Sequence, residues 1–69
     1  MIEILERNKE FVLVRFSHAY RTDYGEFFYV TWLELQKVRK IIPNICIKAM
    51  QDTYNNRKHL LSLLKRLAK

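Results

Sequence analysis

Two histidines and one cysteine are the side chains of this chain best suited to acid–base or nucleophilic chemistry. His18 and His59 lie far apart, and neither has a carboxylate at a local spacing that would orient it as a general base. Cys46 lies in an apolar stripe, whereas a reactive thiolate requires a cationic and accessible setting. The sequence therefore predicts no catalytic residue and a protein that is not an enzyme.

Metal and cofactor binding also lack their usual sequence patterns. No cluster of His, Cys and carboxylate residues has the spacing of a metal site. Gly25 is the single glycine, which excludes the glycine-rich loops that bind nucleotide phosphates. The single cysteine leaves no internal disulfide and indicates a reducing compartment. We therefore predict neither a metal nor a cofactor.

The basic residues suggest a different chemistry, because they are concentrated in one half of the chain. Residues 1–34 carry four basic and six acidic side chains, a net charge of −2. Residues 35–69 carry nine basic side chains and one acidic side chain, a net charge of +8. Such a surface attracts nucleic-acid phosphates. We expect a small protein that binds nucleic acid, DNA more than RNA, mainly through the phosphate backbone. A regulatory factor is one role that such a protein could have.

The candidate phosphate-binding residues lie where the predicted helices expose cations. Arg57 and Lys58 open the last predicted helix, whose N-terminus is already partly positive, and this mismatch indicates a bound anion. A solvated basic face is the alternative, since cations in a last helical turn complement the helix dipole without any ligand. The candidate set is Lys37, Arg39, Lys40, Asn56, Arg57, Lys58, Lys65, Arg66 and Lys69.

An apolar face of the predicted sheet favours a second kind of function, that of a small inhibitor or adaptor that binds another protein. Contiguous exposed apolar patches mark protein contacts. The leucine-rich last helix is an alternative surface for such a partner, and a homodimer would use the same surface. The candidate interaction residues are Phe11, Leu13, Arg15, Phe27 and Tyr29.

The elements that must position these residues begin with strands. Residues 11–18 and 26–32 are rich in β-branched and aromatic side chains, which favour strands. Gly25 closes the turn between them, because a residue without a Cβ atom adopts positive φ at low cost. Residues 1–6 predict a shorter first strand, with a turn at residues 8–9. The predicted core side of this three-stranded meander carries Val12, Val14, Phe16, Phe28 and Val30.

Helix signals follow the second long strand. Thr31 and Glu34 fit a capping box, and Val30 and Leu35 fit the hydrophobic staple that accompanies it. These signals predict a helix that begins near residue 32 and ends before Pro43.

Two further helices are predicted after Pro43. Residues 45–50 favour a helix that begins after Asn44, with a strand as the alternative. A strand would place Lys48 on the same face as Cys46 and Met50, which is the objection to it. Residues 55–56 are predicted to cap the last helix, which runs from Arg57 to about Ala68.

The whole pattern predicts an α+β fold, a three-stranded antiparallel meander followed by two or three short helices packed on one face. We expect a single small domain over residues 1–69, with a sheet part in residues 1–32 and a basic helical part in residues 32–69. No apolar run approaches the roughly 20 residues of a membrane span. No leader pattern opens the sequence either, so we expect a cytoplasmic protein that does not contact membranes.

Overall fold

The described part of the chain, residues 1–40 and 43–67, forms an antiparallel sheet and a helix in a computed structural model. Strand order in the sheet follows chain order. Each strand is therefore joined to the next by a hairpin connection, as in a meander. In chain order the elements are β1 (Ile2–Arg7), β2 (Phe11–Arg21), β3 (Phe27–Lys37), β4 (Ile45–Gln51) and α1 (Tyr54–Leu67).

Both predicted turns of the first three strands are present. Gly25 has a φ of +82°, and its N–H donates to the Thr22 carbonyl at 3.0 Å. Asn8 Oδ1 accepts hydrogen bonds from the backbone N–H groups of Glu10 and Phe11, at 2.9 and 2.8 Å. A short side chain that satisfies two backbone donors closes the β1–β2 turn without any further residue.

The helix predicted from the capping box at Thr31 and Glu34 is wrong. Both residues lie inside β3, which pairs with β2 along its full length. The Glu34 carboxylate accepts hydrogen bonds from the side chains of Trp32 and Gln36, at 2.8 and 3.0 Å. A capping box requires free backbone N–H groups, and strand pairing already uses them here. Residues 41–42, at the predicted end of this helix, lie outside the described residues.

The helix predicted over residues 45–50 is also wrong, and the alternative strand is right. Lys48 lies opposite Leu35, whereas Cys46 lies opposite Gln36, so β4 contains one extra residue at Ile47. Such a bulge reverses which side the following residues face. Cys46 and Lys48 therefore lie on opposite sides of the sheet, which removes one half of the objection. Lys48 still shares its side with Met50, but its side chain is exposed on the edge strand β4, where a charge reaches water.

The last helix begins earlier than predicted. The Thr53 hydroxyl accepts a hydrogen bond from the Asn56 backbone N–H at 3.1 Å, so Thr53 is the N-cap and residues 55–56 lie within the first turn. In the described residues α1 is the helix that follows four strands. The predicted arrangement of three strands followed by two or three helices is thus wrong, although strands still precede helix.

The helix covers the side of the sheet opposite to the one predicted. Leu60 and Leu64 of α1 pack against a cluster that includes Leu13, Leu33 and Leu35, and all five are at most 2% exposed. We call this the helix side of the sheet. Both sides of β2 are apolar near residues 11–14, so alternation was a poor guide to the side that the helix covers, and it indicated the wrong one. The side that carries Val12, Val14 and Phe16, predicted as the core, is the other one.

The β2–β3 hairpin extends beyond the rest of the sheet. β1 pairs with β2 only as far as Phe16, and β4 pairs with β3 only as far as Trp32. Residues 18–21 pair only with residues 27–30, and nearly all side chains from 18 to 30 are exposed. We call residues 18–30 the hairpin arm. A two-stranded hairpin is marginally stable in water by itself, so the arm depends on the sheet that it continues.

Candidate nucleic-acid interface

The exposed face of α1 is basic and carries no acidic side chain. Lys58, Lys65 and Arg66 are exposed there. Lys58 and Lys65 are seven residues apart, so they lie on one side of the helix, about 10 Å apart along its axis. The same face carries Ser62 between them. The structure thus places three of the predicted cations on one solvent-facing helix surface.

Two lysines of the sheet face the same way as α1. Lys37 lies opposite Phe11 and Lys48 lies opposite Leu35, and both of these partners belong to the helix side. Both lysines are exposed. Because α1 packs mainly on β2 and β3, the helix side of β4 stays open beside it. Lys48 was not predicted as a site residue, since its place depends on the strand and bulge that the sequence analysis did not favour.

The end of β3 lies at the same end of the molecule as the C-terminal half of α1. The Val38 N–H donates to the Glu10 carbonyl at 2.8 Å, which joins the end of β3 to the β1–β2 turn. In that turn, Asn8 Nδ2 donates to the Leu64 carbonyl of α1 at 3.4 Å. The exposed cations that follow β3 are Arg39 and Lys40. The structure therefore brings these two predicted cations to the end of α1 that carries Lys65 and Arg66.

Arg57 has a partner inside the protein. Its Nη2 atom lies 3.1 Å from Asp52 Oδ1, and the other Asp52 oxygen accepts a hydrogen bond from Arg15 Nε at 2.7 Å. Arg57 Nε is buried and has no hydrogen-bond partner among the described residues. The Asp52 carboxylate precedes the N-terminus of α1, where the helix dipole favours an anion. A cation at this end of the helix therefore requires no external phosphate.

The Asp52 carboxylate is held in its charged form by its two arginine partners. Its side chain is only 10% exposed, and hydrogen bonds from Arg15 and then Arg57 hold the pKa of Asp52 below its ordinary value. The same hydrogen bond raises the pKa of Arg15, which also lies 3.7 Å from Glu3 Oε2. Three elements, β1, β2 and α1, are thereby linked to the residue that follows β4. The sequence analysis missed Asp52 because its partner Arg15 is 37 residues away.

Asn56 and Lys69 are the remaining predicted site residues. Asn56 Nδ2 donates to the Gln51 carbonyl at 2.9 Å and so braces the first turn of α1 against β4. Lys69 lies outside the described residues. Near Asn56, the exposed ring of Tyr54 has Lys58 Nζ 6.0 Å from its centroid. An aromatic ring beside a cation is a combination that single-stranded nucleic acids contact through base and phosphate.

The residues predicted for protein interaction divide into two groups. Phe11 and Leu13 are buried beneath α1, and Arg15 is held by Asp52. Phe27 and Tyr29 are 66% and 72% exposed on the hairpin arm. Of the five predicted residues, only Phe27 and Tyr29 therefore offer apolar surface to a partner.

The residues first considered for catalysis lie apart from one another. His18 is on the hairpin arm, where its ring makes a T-shaped contact with the ring of Tyr20, and His59 is exposed on α1. Partial burial, and then the hydrogen bond to the Glu34 carboxylate, raise the pKa of Cys46. A raised pKa favours the neutral thiol, which is the less nucleophilic form. Residues 1–40 and 43–67 contain no group of three or more His, Cys, Asp or Glu side chains placed to hold a metal ion.

Comparisons with known proteins assign no family to this architecture. Neither a protein family, nor a curated protein, nor a solved structure matches the chain. Within the described residues, no helix is both long enough and apolar enough to cross a membrane. The functional argument therefore rests on the geometry of the chain itself.

Proposed function

We propose that the protein binds nucleic acid, in the first place DNA, through phosphate contacts made from the helix side of the sheet. The observation that carries this proposal is the exposed face of α1, which is basic and contains no carboxylate. The contact residues are Lys37, Lys48, Lys58, Lys65 and Arg66, which we call the cationic surface. Arg39 and Lys40 extend this surface at the end of β3.

Arg57 and Asn56 are left out of the cationic surface because their polar groups already have internal roles. Arg57 neutralises Asp52, and Asn56 binds the Gln51 carbonyl. Releasing Arg57 to a phosphate would leave the Asp52 carboxylate with one cationic partner fewer. Phosphate contacts from the five residues of the cationic surface would break no internal ion pair, because none of these residues is paired with a described carboxylate.

Binding of this kind has a measurable signature in its dependence on salt. Each phosphate contact releases condensed counterions, so the logarithm of the affinity for duplex DNA falls by about 0.9 per contact for each unit of log salt concentration. Five contacts from the cationic surface would give a slope of about −4.5. Phosphate contacts carry no base information, so we expect similar affinity across sequences and a role as a general binding or regulatory factor.

The test compares two double variants that lose the same charge. The first variant is Lys58→Gln with Lys65→Gln, on the cationic surface. The second is Arg7→Gln with Arg21→Gln, away from it. Fluorescence anisotropy with a labelled duplex should show that only the first variant weakens binding and makes the salt slope about 1.8 less steep. Equal losses in both variants, or no binding by the wild-type protein at low salt, would refute the proposal.

The exposed rings of the hairpin arm favour a second candidate function, an inhibitor or adaptor that binds another protein. Phe27 and Tyr29 are large apolar side chains with most of their surface in solvent. Aromatic residues of this kind supply much of the binding energy in protein interfaces. If the wild-type protein fails to bind nucleic acid in the anisotropy experiment, this function becomes the preferred one, with Tyr29→Ala as the variant that should abolish a complex while the fold is retained.

A further inference from the structure

The side of the sheet opposite to α1 is covered by no described element. We call it the uncovered face. Its centre is the cross-strand pair Phe16 and Trp32, whose rings stack at 5.2 Å between centroids. Ile2 and Ile4 of β1 lie beside this pair and are 66% and 57% exposed. A sheet with two apolar sides normally has a layer packed on each of them, and here only one side has it.

The two ends of the uncovered face differ in shape. At the β1–β2 turn, the face forms an open groove of about 890 Å³ with Val12 and Val14 at its floor. Ile4 lines the groove as well. At the other end, the hairpin arm presents the stacked rings of Tyr20 and Phe28, which are 45% and 49% exposed. One end therefore offers a hollow and the other end offers projecting aromatic rings.

The two ends also differ in charge. Arg7 and Lys9 line the rim of the groove. The tip of the hairpin arm carries Asp23 and Glu26 in the turn around Gly25, where the neighbouring Arg21 guanidinium offsets one of these two charges and leaves the tip with a net negative charge. A cationic rim at one end and carboxylates at the other are complementary between two molecules that lie head to tail.

We propose that two copies of this chain associate through their uncovered faces, with the hairpin arm of each copy in the groove of the other. The two-fold axis would lie between the sheets, across the strands, close to Phe16. Such an interface is isologous, because each copy contributes the same surface. The result is four layers, with a helix on each outer side and the two sheets in contact at about 10 Å.

This symmetry makes a specific pairing along β2. With a two-fold axis at Phe16, a residue of β2 that comes a given number of positions after Phe16 in one copy lies over the residue that comes the same number of positions before Phe16 in the other copy. Tyr20 of one copy then lies over Val12 of the other. By the same count, Asp23 in the tip lies over Lys9 at the groove rim. An axis parallel to the strands would instead bring the two acidic tips together, so charge complementarity selects the head-to-tail arrangement.

The face has enough area for such an interface. The Cα atoms of the chain extend 49 × 31 × 15 Å, so the broad side is a rectangle of roughly 1500 Å². A standard stable interface takes about 800 Å² from each partner. The association leaves the cationic surface exposed on both outer sides and does not depend on nucleic acid.

Phosphate is a poorer occupant of the uncovered face than a second copy. The Glu34 carboxylate lies on this face beside Val14, where it would repel an anion. Trp32 Nε1 and Gln36 Nε2 already donate hydrogen bonds to its oxygens, at 2.8 and 3.0 Å. A carboxylate with internal donors tolerates coverage by another sheet better than a free one does.

The test is the mass of the purified protein in solution without nucleic acid, measured by sedimentation equilibrium over a range of concentrations. We expect a species of twice the 8.4 kDa of the chain. Phe28→Lys should convert it to a monomer with an unchanged circular dichroism spectrum. Tyr29→Lys is the matched control, because Tyr29 is the next residue of the same arm but faces the other side; it should leave the dimer intact.

Charge reversal tests the head-to-tail register and involves only exposed residues. Asp23→Lys alone and Lys9→Glu alone should each weaken the dimer at least about tenfold at low salt. The two changes together should restore it. A wild-type protein that stays monomeric at every concentration would overturn the proposal. Equal effects of Phe28→Lys and Tyr29→Lys would also overturn it, as would a double charge reversal that fails to restore the dimer.

Discussion

The packing of α1 on the sheet is tested by truncating the leucine at its centre. Leu60 is fully buried against the cluster that contains Leu13 and Leu33. Leu60→Ala removes three carbon atoms, worth about 0.8 kcal/mol each in transfer free energy, or about 2.4 kcal/mol. The cavity that remains raises the expected loss to about 3–5 kcal/mol.

That loss is large for a chain of 69 residues. Native stability amounts to about 0.05–0.15 kcal/mol per residue, which gives roughly 3–10 kcal/mol here. Leu67→Ala is the control on the same helix, because Leu67 is 37% exposed and its truncation leaves no enclosed cavity. We expect the control to lose about 1 kcal/mol.

The assay is urea unfolding at one fixed protein concentration, followed by circular dichroism for the helix and by Trp32 fluorescence for the sheet. A fixed concentration matters because dimerisation would add to the apparent stability. Coincident transitions would allow both variants to be compared as free energies of unfolding. A Leu60→Ala variant no less stable than Leu67→Ala would refute the packing of α1 on the Leu13 side of the sheet.

Two further changes test the ion-pair network and the hairpin turn. Asp52→Asn should cost about 1.5–3 kcal/mol at pH 7, because Arg15 and Arg57 lose a charged acceptor. Since the folded-state pKa of Asp52 is lowered, its contribution is present above the unfolded pKa of about 4 and is lost as the pH falls through the folded value. Urea unfolding of the two proteins should therefore converge at strongly acidic pH, and a constant difference would contradict this account. Gly25→Ala should cost about 1–2 kcal/mol, because alanine is strained at the φ of +82° that Gly25 adopts. Gly25→Asn should cost less, since asparagine tolerates positive φ better. Equal stabilities of the wild-type protein and Gly25→Ala in thermal unfolding would contradict the positive φ at this turn.

Local signals of the sequence were sufficient for the first two strands and their turns. Asn8 and Gly25 act through their own backbone neighbours, so their roles follow from residue type alone. Thr31 and Glu34 carry an equally clear local signal, yet it was misleading. Pairing with β2 over eleven residues outweighs one capping box, and this pairing is not visible from local spacing.

The candidate site was also predictable only where local spacing determines it. The cations of α1 were identified because they lie at helical spacing on an exposed face. The predicted core side was wrong, because Val12, Val14 and Phe16 form an unbroken apolar row on β2, whereas the true helix side is interrupted by Arg15, whose charge is neutralised by the distant Asp52. Lys48 and Asp52 were missed because their positions depend on a bulge and on a contact with Arg15 across 37 residues.

The most direct test of the central claim is a titration of isotope-labelled protein with a short DNA duplex, followed by backbone amide chemical shifts. We predict that the shifts move at the cationic surface, above all at Lys48, Lys58 and Lys65, while Phe16 and Trp32 on the uncovered face do not move. Shifts concentrated at Phe16 and Trp32 would contradict the account, because nucleic acid would then occupy the face assigned to a second copy of the chain.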